Sequence, residues 1–188
     1  MTGEPGRLAD EVAARLDRTV VLVGLMGAGK SCIGRRLAQR LRLPFLDSDA
    51  EFEAACGCTI SEYFTRHGEA EFRDGERKVI ARLLDGPPVV LATGGGAFCN
   101  DETRARIKST AISVWIKAEL DLLVKRTAGR DHRPLLKTGD PREILGRLME
   151  ARYPLYAEAD ITVQSTDEAP EITVARVLEG LADHLEIP

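Results

Sequence analysis

The chain has 188 residues, 44% hydrophobic and 30% charged, which is typical of one soluble globular domain. Its formal net charge of -4 disfavours nucleic acid as the main partner, since nucleic-acid-binding proteins usually carry a basic face. Residues 1–17 lack the apolar core of a secretory signal, and no apolar run approaches the ~20 residues of a membrane span. We therefore expect a cytoplasmic protein with neither a membrane nor a nucleic-acid partner.

The predicted elements, taken in chain order, alternate between strands and helices. They are a helix at 7–17, strand 19–23, helix 30–41, strand 44–46, a short helix from 59, helix 69–84, strand 89–92, helix 101–108, strand 111–116, helix 120–126, helix 141–159, strand 161–164 and helix 169–185. This alternation predicts a three-layer α/β fold with a five-stranded parallel sheet. We expect an N-terminal extension over 1–18 and a single domain over 19–188, with a mobile lid near 129–140.

Four cysteines occur in the chain: Cys32, Cys56, Cys58 and Cys99. Their spacing matches no common zinc motif, and the three histidines do not complete one. Free thiols in a reducing compartment are the expected state.

A phosphate-binding loop is predicted directly after the first strand. Residues 24–31, GLMGAGKS, fit the pattern GxxxxGK[ST] between a buried strand and a helix. In such a loop the backbone N–H groups cradle the phosphates, Lys30 reaches the β- and γ-phosphates of ATP, and Ser31 binds Mg²⁺. The backbone of Gly27, Ala28 and Gly29 belongs to the same predicted ATP site. A regulatory GTPase shares this loop, but its NKxD and DxxG motifs do not occur here.

A kinase for a small molecule must also hold an acceptor hydroxyl in line with the γ-phosphate. Asp47 and Asp49 follow the second strand, and strand alternation would put them on one side, with Asp47 near the metal and Asp49 on the hydroxyl. A solvated helix-capping turn is an equal alternative. Arg73 with Glu76 one helical turn later can bind a carboxylate, although alone this pair is more typical of a surface salt bridge.

Two further segments are candidates for the same site. Gly94, Gly95 and Gly96 follow the third strand and would let bare backbone approach a ligand. A flexible glycine loop is the alternative. The basic segment near 129–140 contains Arg133 and has the composition of a closing lid, or of a solvated charged loop.

In this order and spacing, the segments resemble the shikimate kinase family. The resemblance covers most of the chain after the first eighteen or so residues and is carried by six segments, at residues 24–31, 47–49, 71–76, 94–97, 133–136 and 152–156. It implies a fold like that of the nucleoside monophosphate kinases, and phosphorylation of the 3-hydroxyl of shikimate by ATP with Mg²⁺, in aromatic amino-acid biosynthesis. A monomer is expected.

The resemblance also implies roles for particular residues. Asp49 would bind the reacting hydroxyl and act as base, while Arg73 and Arg152 would hold the shikimate carboxylate. The implied catalytic residues are Lys30, Asp49 and Arg133. The implied acceptor-binding residues are Asp49, Phe64, Phe72, Arg73, Glu76, Gly94, Gly95, Gly96 and Arg152.

On the nucleotide side the resemblance implies that Arg133 contacts the phosphates and that Asp47 organises the metal through water. Cys32 stands where the family often has threonine, and its backbone N–H would still serve the ATP site. The loop at 165–170 has no arginine for the purine, which leaves Arg126 as the candidate. Two other functions stay open: a gluconate or other sugar-acid kinase, and a nucleotide-binding module without catalysis.

Overall fold

The computed structural model describes residues 5–128 and 139–187. The elements are α1 (Pro5–Arg15), β1 (Val20–Val23), α2 (Lys30–Leu41), β2 (Phe45–Asp47), α3 (Ser48–Cys56), α4 (Ile60–Leu84), β3 (Val90–Ala92), α5 (Asp101–Thr110), β4 (Ile112–Ala118), α6 (Leu120–Thr127), α7 (Pro141–Tyr156), β5 (Ile161–Ser165) and α8 (Pro170–His184), with a 3₁₀ turn at Ala97–Cys99. None of the helices within these ranges is both long and apolar enough to cross a lipid bilayer.

The five strands form one parallel sheet in the order β2-β3-β1-β4-β5. All four residues of β1 are buried, as expected for a central strand covered on both faces. The chain goes from β1 to β2 at one edge of the sheet, returns to β3 beside β1, and then crosses to β4 and β5 on the other side, so the strand order reverses next to the carboxyl end of β1. Ligands of open parallel sheets bind in the crevice at such a point. The predicted α/β fold with a five-stranded parallel sheet is confirmed.

The N-terminal helix α1 packs against α2 and α8. Ala9 and Val12 are buried in the core, and the Arg15 guanidinium donates to the carbonyls of Leu185 and Glu186 at 3.3 and 3.1 Å. These two hydrogen bonds from Arg15 satisfy carbonyl groups just beyond the C-terminal end of α8, where a positive charge is favourable. This helix is therefore part of the packed structure, although the division of the chain at residue 18 stays a prediction.

A capping box opens the helix that was expected from residue 59, because Thr59 Oγ1 accepts from the N–H of Glu62 at 3.2 Å while Glu62 Oε2 accepts from the N–H of Thr59 at 2.8 Å. The helix it opens extends further than expected and runs to Leu84. Gly68 interrupts it with φ 81° and ψ 176°, a conformation open essentially to glycine alone. The two predicted helices are thus halves of α4 joined at Gly68.

Candidate active site

The loop between β1 and α2 can wrap tightly because three of its glycines have positive φ. The angles are 141° at Gly24, 85° at Gly27 and 102° at Gly29. A Cβ atom on Gly24 would also lie 2.6 Å from the carbonyl oxygen of Ile116 on β4, so this position needs glycine for space as well as for φ. Gly29 leads directly into the first turn of α2, whose partial positive charge favours anions. The loop therefore has the backbone geometry of a phosphate cradle.

Two side chains at the start of α2 are held beside this cradle. Lys30 Nζ donates to the carbonyl oxygens of Gly24 and Leu25 at 2.7 and 3.0 Å. Ser31 Oγ donates to Asp47 Oδ2 at 2.8 Å. The Ser31 hydroxyl and the Asp47 carboxylate both offer oxygen atoms, the metal ligands that Mg²⁺ prefers. Among the described residues, no three or more His, Cys, Asp or Glu side chains cluster in a way that could hold a metal ion.

The prediction that strand alternation puts Asp47 and Asp49 on one side is wrong, because β2 ends at Asp47 and Asp49 lies in the first turn of α3. The two residues do not alternate along an extended strand. They approach each other because Asp47 caps α3, its Oδ1 accepting from the N–H of Asp49 at 3.1 Å. One carboxylate thus serves two neighbours: Asp47 binds the Ser31 hydroxyl with one oxygen and fixes the helix that carries Asp49 with the other.

The Asp49 carboxyl group is mostly buried and faces other acids. Burial, together with the negative charges of Asp47 and Glu76, raises its pKa to about 6, while the Lys30 ammonium group opposes this rise. A Cβ on Gly94 would lie 2.8 Å from both Asp49 Oδ1 and Glu76 Oε1, so both carboxylates lie against the face of the glycine that a side chain would occupy. A carboxylate with a pKa near neutrality is suited to accept a proton from a substrate hydroxyl.

Arg73 and Glu76 form the charge pair that the sequence predicted on α4. Arg73 Nη1 donates to Glu76 Oε2 at 2.8 Å, and only 6% of the Glu76 side chain is exposed. Burial raises the pKa of Glu76, whereas Arg73 and Arg152 lower it. The surface-bridge alternative therefore does not describe this pair, since Glu76 is buried. A Cβ on Gly96 would lie 2.5 Å from Arg73 Nη1, so the guanidinium lies directly against the backbone of the glycine segment.

Arg152 reaches the same segment from α7. Its Nη1 would be 3.2 Å from a Cβ on Gly95, and the carbonyl oxygen of Gly24 would be 3.6 Å away, so Gly95 lies between the second arginine and the phosphate loop. The three glycines thus contact the acidic pair and both arginines at once. Two guanidinium groups and a carboxylate around bare backbone can bind an anionic molecule that also carries hydroxyl groups.

Aromatic rings pack beside the arginine pair. The Phe64 and Phe72 ring centroids are 4.6 Å apart, Phe52 lies edge-on to Phe72 at 5.0 Å, and the Arg73 guanidinium stacks 5.1 Å from the Phe72 ring. Phe72 is 4% exposed and Phe64 is partly exposed. Phe64 is therefore the better placed of the two to contact a ligand, and Phe72 supports both Phe64 and Arg73.

Arg126 lies on the opposite side of the cradle. Its Nη1 donates to the Ala28 carbonyl at 3.2 Å and to Ser165 Oγ at 2.9 Å, and its Nη2 donates to the Thr166 carbonyl at 2.6 Å. It therefore joins the phosphate loop to the end of β5. Cys32 is exposed, and its sulfur accepts a bond from Arg36 at 3.0 Å. Arg133, with residues 129–138 of the lid predicted near 129–140, lies outside the described residues.

Two functional candidates were missed by the sequence analysis. Ser48 Oγ accepts from the N–H of Gly94 at 3.1 Å, which ties the glycine segment to α3. The Tyr156 hydroxyl donates to the carbonyl of Gly95, and this tyrosine is fully buried beside Arg152. Both residues stood inside segments that had been singled out, but nothing in the sequence showed which backbone group they would meet.

The family comparison decides which class of kinase this site belongs to. The shikimate kinase family model matches residues 26–182. Shikimate kinase from Paramagnetospirillum magneticum is 72% identical over 187 residues, covering 100% of this chain and 96% of that protein. The chain belongs to the shikimate kinase family.

Solved structures agree with this assignment. The structure of shikimate kinase from Acinetobacter baumannii in complex with shikimate has a TM-score of 0.87 and 36% sequence identity, covering 92% of this chain and 97% of that one. A gluconokinase from Sinorhizobium meliloti has a TM-score of 0.63 at 19% identity, covering 90% of this chain and 94% of that one. The second likeness shows the fold alone.

Proposed function

We propose that this protein transfers the γ-phosphate of ATP to the 3-hydroxyl of shikimate, giving shikimate 3-phosphate in aromatic amino-acid biosynthesis. The observation that carries this proposal is the convergence on Gly94–Gly96 of Asp49, Arg73 and Arg152, directly beside the phosphate loop. Family membership supports the same acceptor.

On the acceptor side, Arg73 and Arg152 would bind the carboxylate of shikimate. Glu76 acts as a positioning residue, because its buried carboxylate fixes the Arg73 guanidinium at 2.8 Å. The backbone of Gly95 would meet the ring hydroxyls, and Phe64 would cover the apolar face of the ring, with Phe72 behind it. Fixed charges and a rigid aromatic wall hold the hydroxyl in one orientation, which is the main requirement for in-line transfer.

On the nucleotide side, the backbone of 27–32 and the Lys30 ammonium group would hold the ATP phosphates. Ser31 would ligate Mg²⁺, with Asp47 in contact through water, as its hydrogen bond to Ser31 supports. The ion would neutralise charge that develops on the transferring phosphoryl group. Arg126 would support the purine side of the site from its position between Ala28 and Thr166.

Proton transfer is assigned to Asp49. Its raised pKa, about 6, leaves the carboxylate ionised at neutral pH yet basic enough to accept the proton of the 3-hydroxyl as the phosphoryl group arrives. The charges of Lys30 and the metal would stabilise the transferring group at the same moment. The roles of Arg133 in the phosphate site and of 129–140 as a lid stay predictions, as do a monomeric state and a cytoplasmic location.

A sugar-acid kinase is the second candidate, because gluconate is also an anionic polyol and the gluconokinase fold is shared. Among the residues of the site that the structure describes, no contact favours the longer, flexible acid over a ring. The glycine segment held between Asp49, Glu76 and the two arginines is better suited to a rigid ring, which loses less conformational entropy on binding.

The test is ADP release from MgATP with shikimate, with gluconate and with no acceptor. A rise only with shikimate, lost in Lys30→Met, supports the proposal. A rise only with gluconate would show that gluconate, and not shikimate, is the acceptor. Measurable ATP binding without any rise would leave a nucleotide-binding module and would reject catalysis.

A further inference from the structure

Two cysteines lie side by side outside the site just described. Cys56 is the last residue of α3, and Cys58 lies two residues later, just before α4. The Cys58 thiol points at the sulfur of Cys56, and the two sulfur atoms are 3.5 Å apart. Both residues are partly exposed, so a small reagent in solution can reach them.

The connecting glycine makes this approach possible. Gly57 has φ 69°, in the left-handed region, and turns the chain sharply between the two cysteines. Two residues in extended conformation would span roughly 7 Å, so a turn is needed here for the Cα atoms to come within the ~4.4–6.8 Å range of disulfides. The sulfur atoms must approach from 3.5 Å to about 2.0 Å, which rotation of the two side chains can supply.

We propose that Cys56 and Cys58 form a reversible disulfide, a redox modification site that controls binding of the acceptor. The oxidant is a small-molecule disulfide. The thiolate of Cys56 attacks one sulfur of the reagent and releases the other as a thiol, after which the Cys58 thiolate displaces the bound half from Cys56. The protein loses two hydrogen atoms, and one reagent molecule becomes two thiols, so atoms and electrons balance.

The hydrogen bonds around the pair assign the order of these steps. Cys58 donates to the sulfur of Cys56, and this bond raises the pKa of the Cys58 thiol. Cys56 in turn donates its S–H to the carbonyl oxygens of Cys58 at 3.2 Å and of Glu53 at 3.6 Å, so ionisation of either thiol breaks a hydrogen bond, but only ionisation of Cys58 breaks the bond between the two sulfur atoms. Cys56 is therefore the attacking sulfur and Cys58 the resolving one. In a reducing compartment the dithiol is the resting form, and the disulfide forms only when the oxidant rises.

The link to acceptor binding lies in the helices that the pair joins. α3 carries Asp49 in its first turn, and α4 carries Phe64 and Arg73. The Ile60 N–H also donates to Glu53 Oε1 at 2.9 Å, so the end of α3 and the start of α4 are already coupled. Closing a bond between Cys56 and Cys58 shifts this joint. Asp47, which binds Ser31, and Asp49 both lie at the far end of α3, so we expect the shift to act on the acceptor side through Phe64 near the start of α4 and to leave the ATP site unaffected.

The experiment uses the full chain with Cys32→Ser and Cys99→Ser, in which only the pair can react. The protein is treated with oxidised glutathione near pH 8, where thiolates are available, and is analysed by mass spectrometry of the intact chain and of its peptides. The expected product is a single bond between Cys56 and Cys58 that dithiothreitol reverses. When Cys58→Ser is added to these two substitutions, the protein should instead retain a glutathione molecule on Cys56, because the resolving thiol is absent.

Kinetics on the same samples test the coupling, which rests on the proposed function. We expect the KM for shikimate to rise several-fold on oxidation with the KM for ATP unchanged, and no such rise in the Cys58→Ser protein. Glutathione on both cysteines, or no reaction, would overturn the disulfide. A disulfide that leaves the KM for shikimate unchanged would overturn the control of binding. If the reduced protein is inactive with shikimate, the proposed function is refuted. The disulfide between Cys56 and Cys58 is tested by the mass measurement and does not depend on that result.

Discussion

Asp49 is a buried side chain whose ionised form lowers the stability of the fold but is needed for the proposed reaction. Burial and the neighbouring acids raise its pKa from the usual 3.8 to about 6, so the folded protein binds this proton more tightly than the unfolded chain does. The protonated group therefore supports the fold fully below about pH 4, and this contribution is lost as the pH rises through 6. At neutral pH the ionised carboxylate is a destabilising group that the proposed reaction requires.

Replacing Asp49 with Asn should separate the two effects. Amide in place of carboxylate removes the buried charge, so we expect a higher free energy of unfolding at pH 7, by up to about 3 kcal/mol from the pKa shift. We expect kcat to fall by roughly 10²–10⁴-fold, the usual contribution of a general base. Urea unfolding and steady-state kinetics measure the two quantities. A less stable protein, or one with near-normal kcat, would contradict the assignment.

The pH dependence of the reaction tests the same group without mutation. If Asp49 must be ionised to accept the proton, kcat/KM for shikimate should rise about tenfold per pH unit below pH 6 and level off above it. The profile is measured with saturating MgATP. A profile that is flat between pH 5 and 7 would show that ionisation of Asp49 does not limit the reaction.

Arg73 should affect the acceptor alone. In Arg73→Ala the carboxylate of shikimate would lose one of its two proposed guanidinium partners, and Glu76 would be left buried without its 2.8 Å bond. We expect the KM for shikimate to rise by more than tenfold, since charge-assisted bonds of this kind contribute about 1.5–3 kcal/mol. The affinity for ATP, measured by calorimetry, should change little.

The matched control is Arg82→Ala, which removes an arginine from the same helix whose partner, Glu51, lies on the surface. It should leave both ligands unaffected. Equal loss of ATP and shikimate binding in Arg73→Ala would show that the substitution had only disturbed the fold.

At the scale of elements, α4 depends on its joint at Gly68. The added Cβ of alanine would meet no atom within 4 Å, so its cost would come from the backbone conformation alone. We expect Gly68→Ala to lower the free energy of unfolding by about 1–3 kcal/mol. The matched control, Gly86→Ala, lies just beyond the same helix without a positive φ and should be close to neutral. Urea unfolding compares the two, and equal stabilities would contradict the proposed strain.

The elements also show what could be read from the sequence. Helix α2 was predicted over its full length, because a glycine loop, Lys30 and the periodic apolar residues define both ends. The boundary at 47–49 was not, because Asp47 both ends β2 and caps α3, so the strand pattern and the helix cap overlap in the sequence. The contact of Tyr156 with Gly95 joins residues 61 positions apart, and only the packing of α7 against the glycine segment reveals it.

At the scale of the whole molecule, the sheet order explains how distant segments form one site. The phosphate loop follows β1, Asp47 ends β2 and Gly94 follows β3 closely, and parallel pairing in the order β2-β3-β1 brings all three to one edge. Strand count and helix alternation predicted the parallel sheet. The order of strands, and therefore the meeting of these segments, follows from pairing over long distances that local patterns do not encode.

The position of the transferred phosphate on the product is the most direct test of the proposed acceptor geometry. The protein is incubated with MgATP and shikimate, and the product is identified by phosphorus–proton correlation in nuclear magnetic resonance. We predict one phosphate ester, on the 3-hydroxyl, because in the proposed site Arg73 and Arg152 would hold the carboxylate while Asp49 would bind the reacting hydroxyl. A phosphate on another hydroxyl of the ring, or release of inorganic phosphate without an ester, would contradict the proposed geometry of the acceptor site.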